Sequence, residues 1–134
     1  MVALVGRRKE KLDQVQAEIQ ASGGIATTHS CDIREEEQVR AKVSAILSAH
    51  GRIDYLVDNA GGQFSAPQEK ITAKGWDTVV RNNLTGGFLF ARECYTQWMS
   101  RHTGDQIGPL STLSPTCGTV CPVWAIPVRR GQVY

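Results

Sequence analysis

Two hydrophobic rhythms alternate along the first hundred residues. Val2-Ala3-Leu4-Val5-Gly6 is a short apolar run of the kind that makes a buried strand. From Lys9 to Gln20 the period becomes helical, with Leu12, Val15 and Ile19 on one side and Lys, Glu, Asp and Gln between them. Ser22-Gly23-Gly24 ends that helix. Ile25 to Cys31 reads as a second strand. Asp32 can cap the next helix, whose first turn holds Glu35, Glu36 and Glu37 where the dipole favours negative charge. Val39, Val43, Ile46 and Leu47 form its apolar face, and Gly51 stops it. Ile53 to Val57 is a third strand. Strands alternating with helices at this spacing predict βαβ units and a parallel sheet.

A loop with Gly61, Gly62, Ser65 and Pro67 follows. A helical pattern then runs from about Lys74 to Met99, with Trp76, Val80, Leu84, Phe88 and Ala91 along one side. Gly75, Gly86 and Gly87 interrupt it. Each costs about 1 kcal/mol against Ala in a helix interior, so close packing is expected there. Beyond Arg101 the rhythm stops. Pro109, Pro115, Pro122 and Pro127 are four of the five prolines, and neither Lys nor Glu occurs after Glu93. No regular structure is expected in this tail.

Composition adds bounds. At 134 residues the chain holds one domain with a modest core. A net charge of +2 without basic runs gives no argument for nucleic acid. No apolar stretch approaches the roughly 18 residues of a membrane span, and no signal peptide precedes Arg7 and Arg8. Cys31, Cys94, Cys117 and Cys121 are too scattered for a disulfide framework, so a reduced, cytoplasmic setting is expected. Cys117-x-x-x-Cys121 lacks zinc-ligand spacing and a second ligand pair; no metal is expected.

Leu56-Val57-Asp58-Asn59-Ala60-Gly61-Gly62 is an apolar strand entering an Asn-Ala-Gly turn, followed on a helix by Asn82-Asn83-Leu84-Thr85-Gly86. With Val2 to Arg8 ahead of them, these motifs resemble the middle of a short-chain dehydrogenase/reductase, a nicotinamide-dependent Rossmann enzyme. The resemblance implies an α/β, three-layer αβα fold with a parallel sheet. It covers about residues 2–104. Gly61-Gly62-Gln63-Phe64 and Lys74-Gly75-Trp76 resemble one branch, the peroxisomal-type trans-2-enoyl-CoA reductases, which reduce an enoyl thioester with NADPH.

The resemblance also assigns roles. Arg7 and Arg8 follow the strand whose carboxyl end faces the adenosine ribose. Arginine there suits the 2′-phosphate of NADP rather than the 2′-hydroxyl of NAD. Asp32 would contact the adenine through its side chain and Ile33 by packing. Asn59, Ala60 and Gly61 would let the backbone approach the cofactor, with Asp58 standing where the family has a first Asn. Asn83 matches the helix asparagine that helps hold a proton-relay water. The implied substrate is a small acyl-CoA or carbonyl compound, and the implied parent is a homo-oligomer.

Two family features are missing from the sequence: the phosphate-binding glycine loop of the first strand, and Tyr-x-x-x-Lys. Neither Tyr55, Tyr95 nor Tyr134 has Lys four residues on. The sheet is therefore expected to be incomplete, lacking the family's first strand and catalytic half, with the strands at Val2–Gly6 and Ile53–Val57, the family's second and fourth, unable to pair directly. NADP(H) binding is expected to be weak or absent, and the chain inactive. A non-catalytic nucleotide-binding or interaction module, or a product without function, is the alternative. Residues 105–134 read as an out-of-frame tail. For Thr116 to Gln132, joining each codon's third base to the next codon's first two permits a run ending His-Ser-Gly-Ala-Ala-Arg-Ala. That run resembles what the reductase branch carries just before its Tyr-x-x-x-Lys region.

Overall fold

The computed structural model describes residues 1–62, 66–102, 111–112 and 124–127, the last two segments by their backbone alone. Gln63 and Phe64 of the branch motif, and Cys117 and Cys121, lie outside the described residues. The elements in order are β1 (Val2–Gly6), α1 (Lys9–Ala21), β2 (Ala26–Ser30), α2 (Glu36–His50), β3 (Val57–Asp58), α3 (Ala73–Val80), α4 (Gly86–Gln97), β4 (Ser111–Thr112) and β5 (Trp124–Pro127). Short 3-10 turns occupy Gln68–Lys70 and Met99–Arg101.

The period-two alternation of β1 divides the core between two faces. Val2 and Leu4 pack with Ala26 and with Leu12, Val15 and Ile19 of α1. Ala3 and Val5 point the other way, into a larger cluster with Val39, Val43 and Ile46 of α2 and Leu89, Phe90 and Cys94 of α4. Helices thus cover both faces, the expected three layers. Both predicted helix stops hold. Gly23 and Gly51 adopt φ of +78° and +79°, a conformation that only glycine enters without penalty.

β1 pairs with β2, and β3 with β4, in parallel. β1 and β3 do not pair with each other, as the missing-strand argument requires; the order is β2-β1-β5-β3-β4. The tail corrects an expectation here. It supplies both β4 and β5, and β5 enters the central place antiparallel to both neighbours, Val2–Val5 opposite Pro127–Trp124 and Val57 opposite Ala125. Backbone hydrogen bonding, not an apolar rhythm, defines these two segments, which is why sequence periodicity did not show them.

Three further differences have local causes. The third strand keeps only Val57 and Asp58 as ladder residues, although Ile53 and Leu56 are fully buried. Asp32 does not cap α2: Glu35 occupies that place, while the Asp32 carboxylate accepts from the Arg34 N–H at 3.1 Å. The long helix is broken between α3 and α4 by a π-helical turn, Arg81–Thr85, in which the Gly86 N–H donates to the Arg81 carbonyl. Trp76, Leu84 and Phe88 of the predicted apolar stripe are 62%, 69% and 59% exposed. The buried side of α4 instead carries Gly86, Gly87, Leu89, Phe90, Glu93 and Cys94.

Candidate functional site

The carboxyl ends of β1 and β3 lie at one edge of the sheet, because both strands run against β5. A cavity of about 240 Å³ opens there. Gly6, Arg7 and Arg8 line it from β1, Cys31 and Ile33 from the turn after β2, and Ala60, Gly61 and Gly62 from the turn after β3. Asn82 closes it from the π-helical turn. This is the edge at which open α/β sheets bind ligands. Ligand pockets usually span roughly 300–1,000 Å³, so this volume suits one end of a dinucleotide rather than a whole one.

Each wall has a local origin. β1 ends at Gly6, and the chain turns through Arg7 and Arg8 into α1, placing two exposed cationic side chains at the rim. Ile33 is 8% exposed and lies against Gly86, where an added Cβ would meet its side chain at 2.6 Å. The suspected close packing at Gly86 is therefore real. It lets α4 press Ile33 into the cavity wall.

The turn after β3 is held by two side chains. The buried Asp58 carboxylate accepts from the Ala60 N–H at 3.0 Å, and burial pushes that carboxyl above its ordinary range. Asn83 forms a closed pair with Gly62: the Gly62 N–H donates to Asn83 Oδ1 at 2.7 Å, and Asn83 Nδ2 donates to the Gly62 carbonyl at 2.8 Å. The π-helical turn that carries Asn83 is a form often found at functional sites.

The predicted residues divide accordingly. Arg7, Arg8, Ile33, Ala60 and Gly61 meet in one cavity. Asp32 and Asn59 do not line it. The Asp32 carboxylate is paired with Arg34, with Nε at 2.8 Å, and this contact holds it below the usual carboxylate range. Asn59 is half-buried. Asn83 acts on the cavity through Gly62. Gly62, Cys31 and Asn82 went unassigned in the sequence reading; the doubled Asn82-Asn83 was the signal available for the last. Burial pushes the Cys31 thiol up to about 11, so it is a neutral wall group rather than a nucleophile.

A second cavity, of about 340 Å³, shares Gly62 and Asn82 with the first and extends to Thr72, Lys74 and Thr78 of α3 and its cap. Among the described residues, Tyr55 and Tyr95 line neither cavity. Among the described residues, no group of three His, Cys, Asp or Glu side chains gathers as metal ligands, and no helix is long and apolar enough to cross a membrane.

Comparison with known proteins agrees with this arrangement. The sequence model described as "short chain dehydrogenase" matches residues 1–115. Over 100 residues the chain is 31% identical to the Bacillus subtilis protein named "Probable 2,4-dienoyl-CoA reductase", covering 75% of this chain and 39% of that protein. Among solved structures it resembles the citronellol catabolism dehydrogenase AtuB of Pseudomonas aeruginosa (TM-score 0.71, 50% identity, 76% of this chain and 41% of that one). It also resembles a metagenomic short-chain oxidoreductase in complex with NADP (TM-score 0.67, 36% identity, 76% and 46%). The chain thus spans about two fifths of the lengths of these proteins. The βαβ order, the Asn-Ala-Gly turn at the sheet's carboxyl edge and the match over residues 1–115 together make this chain a member of the short-chain dehydrogenase family.

Proposed function

We propose that the cavity at the carboxyl edge takes the adenosine end of NADP(H), and that the parent activity is NADP(H)-dependent reduction of a 2-enoyl-CoA. The observation that carries the cofactor half is the placement of Arg7 and Arg8 on the rim of a pocket whose other walls are apolar side chains, glycine backbone and Asn82. Two guanidinium groups suit a 2′-phosphate through charge-assisted, often bidentate hydrogen bonds. Ile33 and Ala60 offer apolar contact to a base, and Gly61 and Gly62 let backbone come close. The NADP-bound relative supports the same choice of cofactor. The B. subtilis relative supports the acyl-CoA substrate, while AtuB marks how varied substrates are among proteins of this fold.

The residues fit one end of the cofactor and not the other. A pyrophosphate is normally seated on the N-terminus of the helix that follows a parallel central strand. Here β5 begins at the carboxyl edge, with Trp124 opposite Val5, and so runs away from it. NADPH, when bound, supplies a hydride. On this reading the residues of this chain bind and orient its adenosine end, and no tyrosine-lysine pair lines the cavity to relay a proton. The reading for this chain is therefore weak nucleotide binding without turnover. The closed Asn83–Gly62 pair supports this reading, because it engages the side-chain amide at both ends. The exposed Leu84 of the π-helical turn and Phe88 and Tyr95 of α4 are the face that a second copy would cover in a homo-oligomer.

Calorimetric titration with NADPH, NADH and adenosine 2′,5′-bisphosphate tests the cofactor reading. NADPH and the bisphosphate bind, NADH binds at least about tenfold more weakly, and Arg7→Ala with Arg8→Ala abolishes the difference. Equal affinity for NADPH and NADH in the unmodified chain would falsify it.

A further inference from the structure

The central place in the sheet is filled in an unusual way. β5 covers Val2–Val5 of β1 on one side and meets Val57 of β3 on the other. Ala125 is the position shared by both ladders, opposite Leu4 and opposite Val57. At the level of the sheet, β5 alone joins the β2-β1 pair to the β3-β4 pair. The described residues are also tied through the core, where Ala3 and Val5 cluster with Ile53 and Leu56, and through the helical layer, where Arg92 of α4 donates to Glu36 of α2 at 2.6 Å and Ser44 of α2 donates to Gln97 of α4 at 2.8 Å.

This strand serves through its backbone. An interior proline would interrupt it, and the single proline of β5, Pro127, sits at its last position, opposite Val2. Without β5, the inner edges of β1 and β3 would lose their backbone partners. The consequence reaches the cavity. Gly6, Arg7 and Arg8 stand at the end of β1, and Ala60, Gly61 and Gly62 stand just past β3. One strand between β1 and β3 fixes those walls about two strand spacings apart, roughly 9.5 Å.

We propose that residues 124–127 act as an intramolecular donor strand whose docking between β1 and β3 sets the width of the nucleotide cavity, so that strand docking and nucleotide binding favour each other. The nucleotide half rests on the reading of the cavity given above; the donor-strand half does not. Linkage makes the coupling reciprocal: a ligand that needs both walls stabilises the docked strand, and undocking weakens the ligand.

Amide hydrogen exchange on the full chain tests the strand first. Residues 2–5 and 124–126 are expected to exchange together, each protected about 100-fold or more over free-peptide rates. Free-peptide exchange at 124–126 beside a protected β1 overturns the proposal. Ala125→Pro removes the N–H at the shared position and is expected to expose 2–5 and 57 to exchange. A synthetic peptide of residues 121–130 added to that variant is expected to restore their protection, even if the variant alone is largely unfolded. Unchanged protection in Ala125→Pro, or no rescue by the peptide, also overturns it. With adenosine 2′,5′-bisphosphate as probe, saturation raises protection at 124–126, and Ala125→Pro binds the probe about tenfold more weakly. Equal probe binding by variant and unmodified chain overturns the coupling. A probe that binds neither, with exchange as expected, removes the nucleotide half and leaves the donor strand standing.

Discussion

Asp58 shows how one side chain both builds the site and weakens the fold. Its carboxylate shapes the turn by accepting from the Ala60 N–H, yet burial raises its pKa above the ordinary 3.8. The folded state therefore holds that proton more tightly than the unfolded chain. The stability from this group is full below pH 3.8 and is lost as pH rises through the folded value. Asn keeps the acceptor oxygen and removes the charge. Asp58→Asn is expected to raise stability by about 1–3 kcal/mol at pH 7 and by little at pH 3.5. Urea denaturation at the two pH values measures it; an equal effect at both would refute the burial argument. Glu93 has the opposite sign. It is 6% exposed and accepts from Gln97 at 3.0 Å and Arg92 at 3.2 Å, contacts that hold its carboxyl below the ordinary 4.5. Its contribution is present above pH 4.5 and lost as pH falls through the lowered value. Because Arg40 and Arg92 are 50% and 35% exposed, Glu93→Ala is expected to cost only about 1–2 kcal/mol at pH 7, and less at pH 3.

At the scale of the element, the break between α3 and α4 is the informative one. A continuous helix from Ala73 to Gln97 would carry no extra residue. The π-helical turn inserts one, which rotates everything beyond it by about 100° relative to α3. That turn aims Asn82 at the cavity and Asn83 at Gly62, and leaves Gly86 against Ile33. Gly86 has no room for a branched side chain: an added Cβ lies 2.6 Å and 2.7 Å from Ile33 side-chain atoms and 3.3 Å from the Arg81 carbonyl. Gly86→Val is expected to destabilise by about 1–3 kcal/mol despite removing a glycine from a helix. Gly86→Ala combined with Ile33→Val should recover only part of that loss, because valine lacks the Cδ1 atom at 2.6 Å but keeps the Cγ1 atom at 2.7 Å. Thermal melts of the variants decide it; a stable Gly86→Val would show that the close approach is not needed.

For the molecule as a whole, a cavity at the carboxyl edge stands on a sheet completed by a reversed strand. Arg7, Arg8, Ile33, Ala60 and Gly61 wall it, and the sequence contains no Tyr-x-x-x-Lys. The purified chain is accordingly expected not to oxidise NADPH with enoyl-CoA or simple carbonyl substrates above background. Turnover within the ordinary enzyme range of roughly 1–10³ s⁻¹ in a spectrophotometric assay would overturn this expectation.

The amino-acid sequence alone determined what depends on local rhythm and local chemistry. Leu12, Val15 and Ile19 recur at helical spacing, and they bury against β1 and β2 as that spacing requires. Gly23 and Gly51 stop their helices because only glycine enters positive φ freely. Arg7, Arg8, Ile33, Ala60 and Gly61 were legible because strand ends in a βαβ order converge on one edge. Tertiary structure decided what depends on residues far apart in sequence. Asn83 reaches Gly62, 21 residues away, with both ends of its amide. The stripe Trp76-Leu84-Phe88 reads as a buried face, yet the side of α4 that meets the core carries Leu89, Phe90 and Cys94 instead. Nor does any rhythm in Trp124–Pro127 announce a central strand. Its place is set by the unpaired edges of β1 and β3, more than 60 residues away, which need backbone partners whatever side chains come with them.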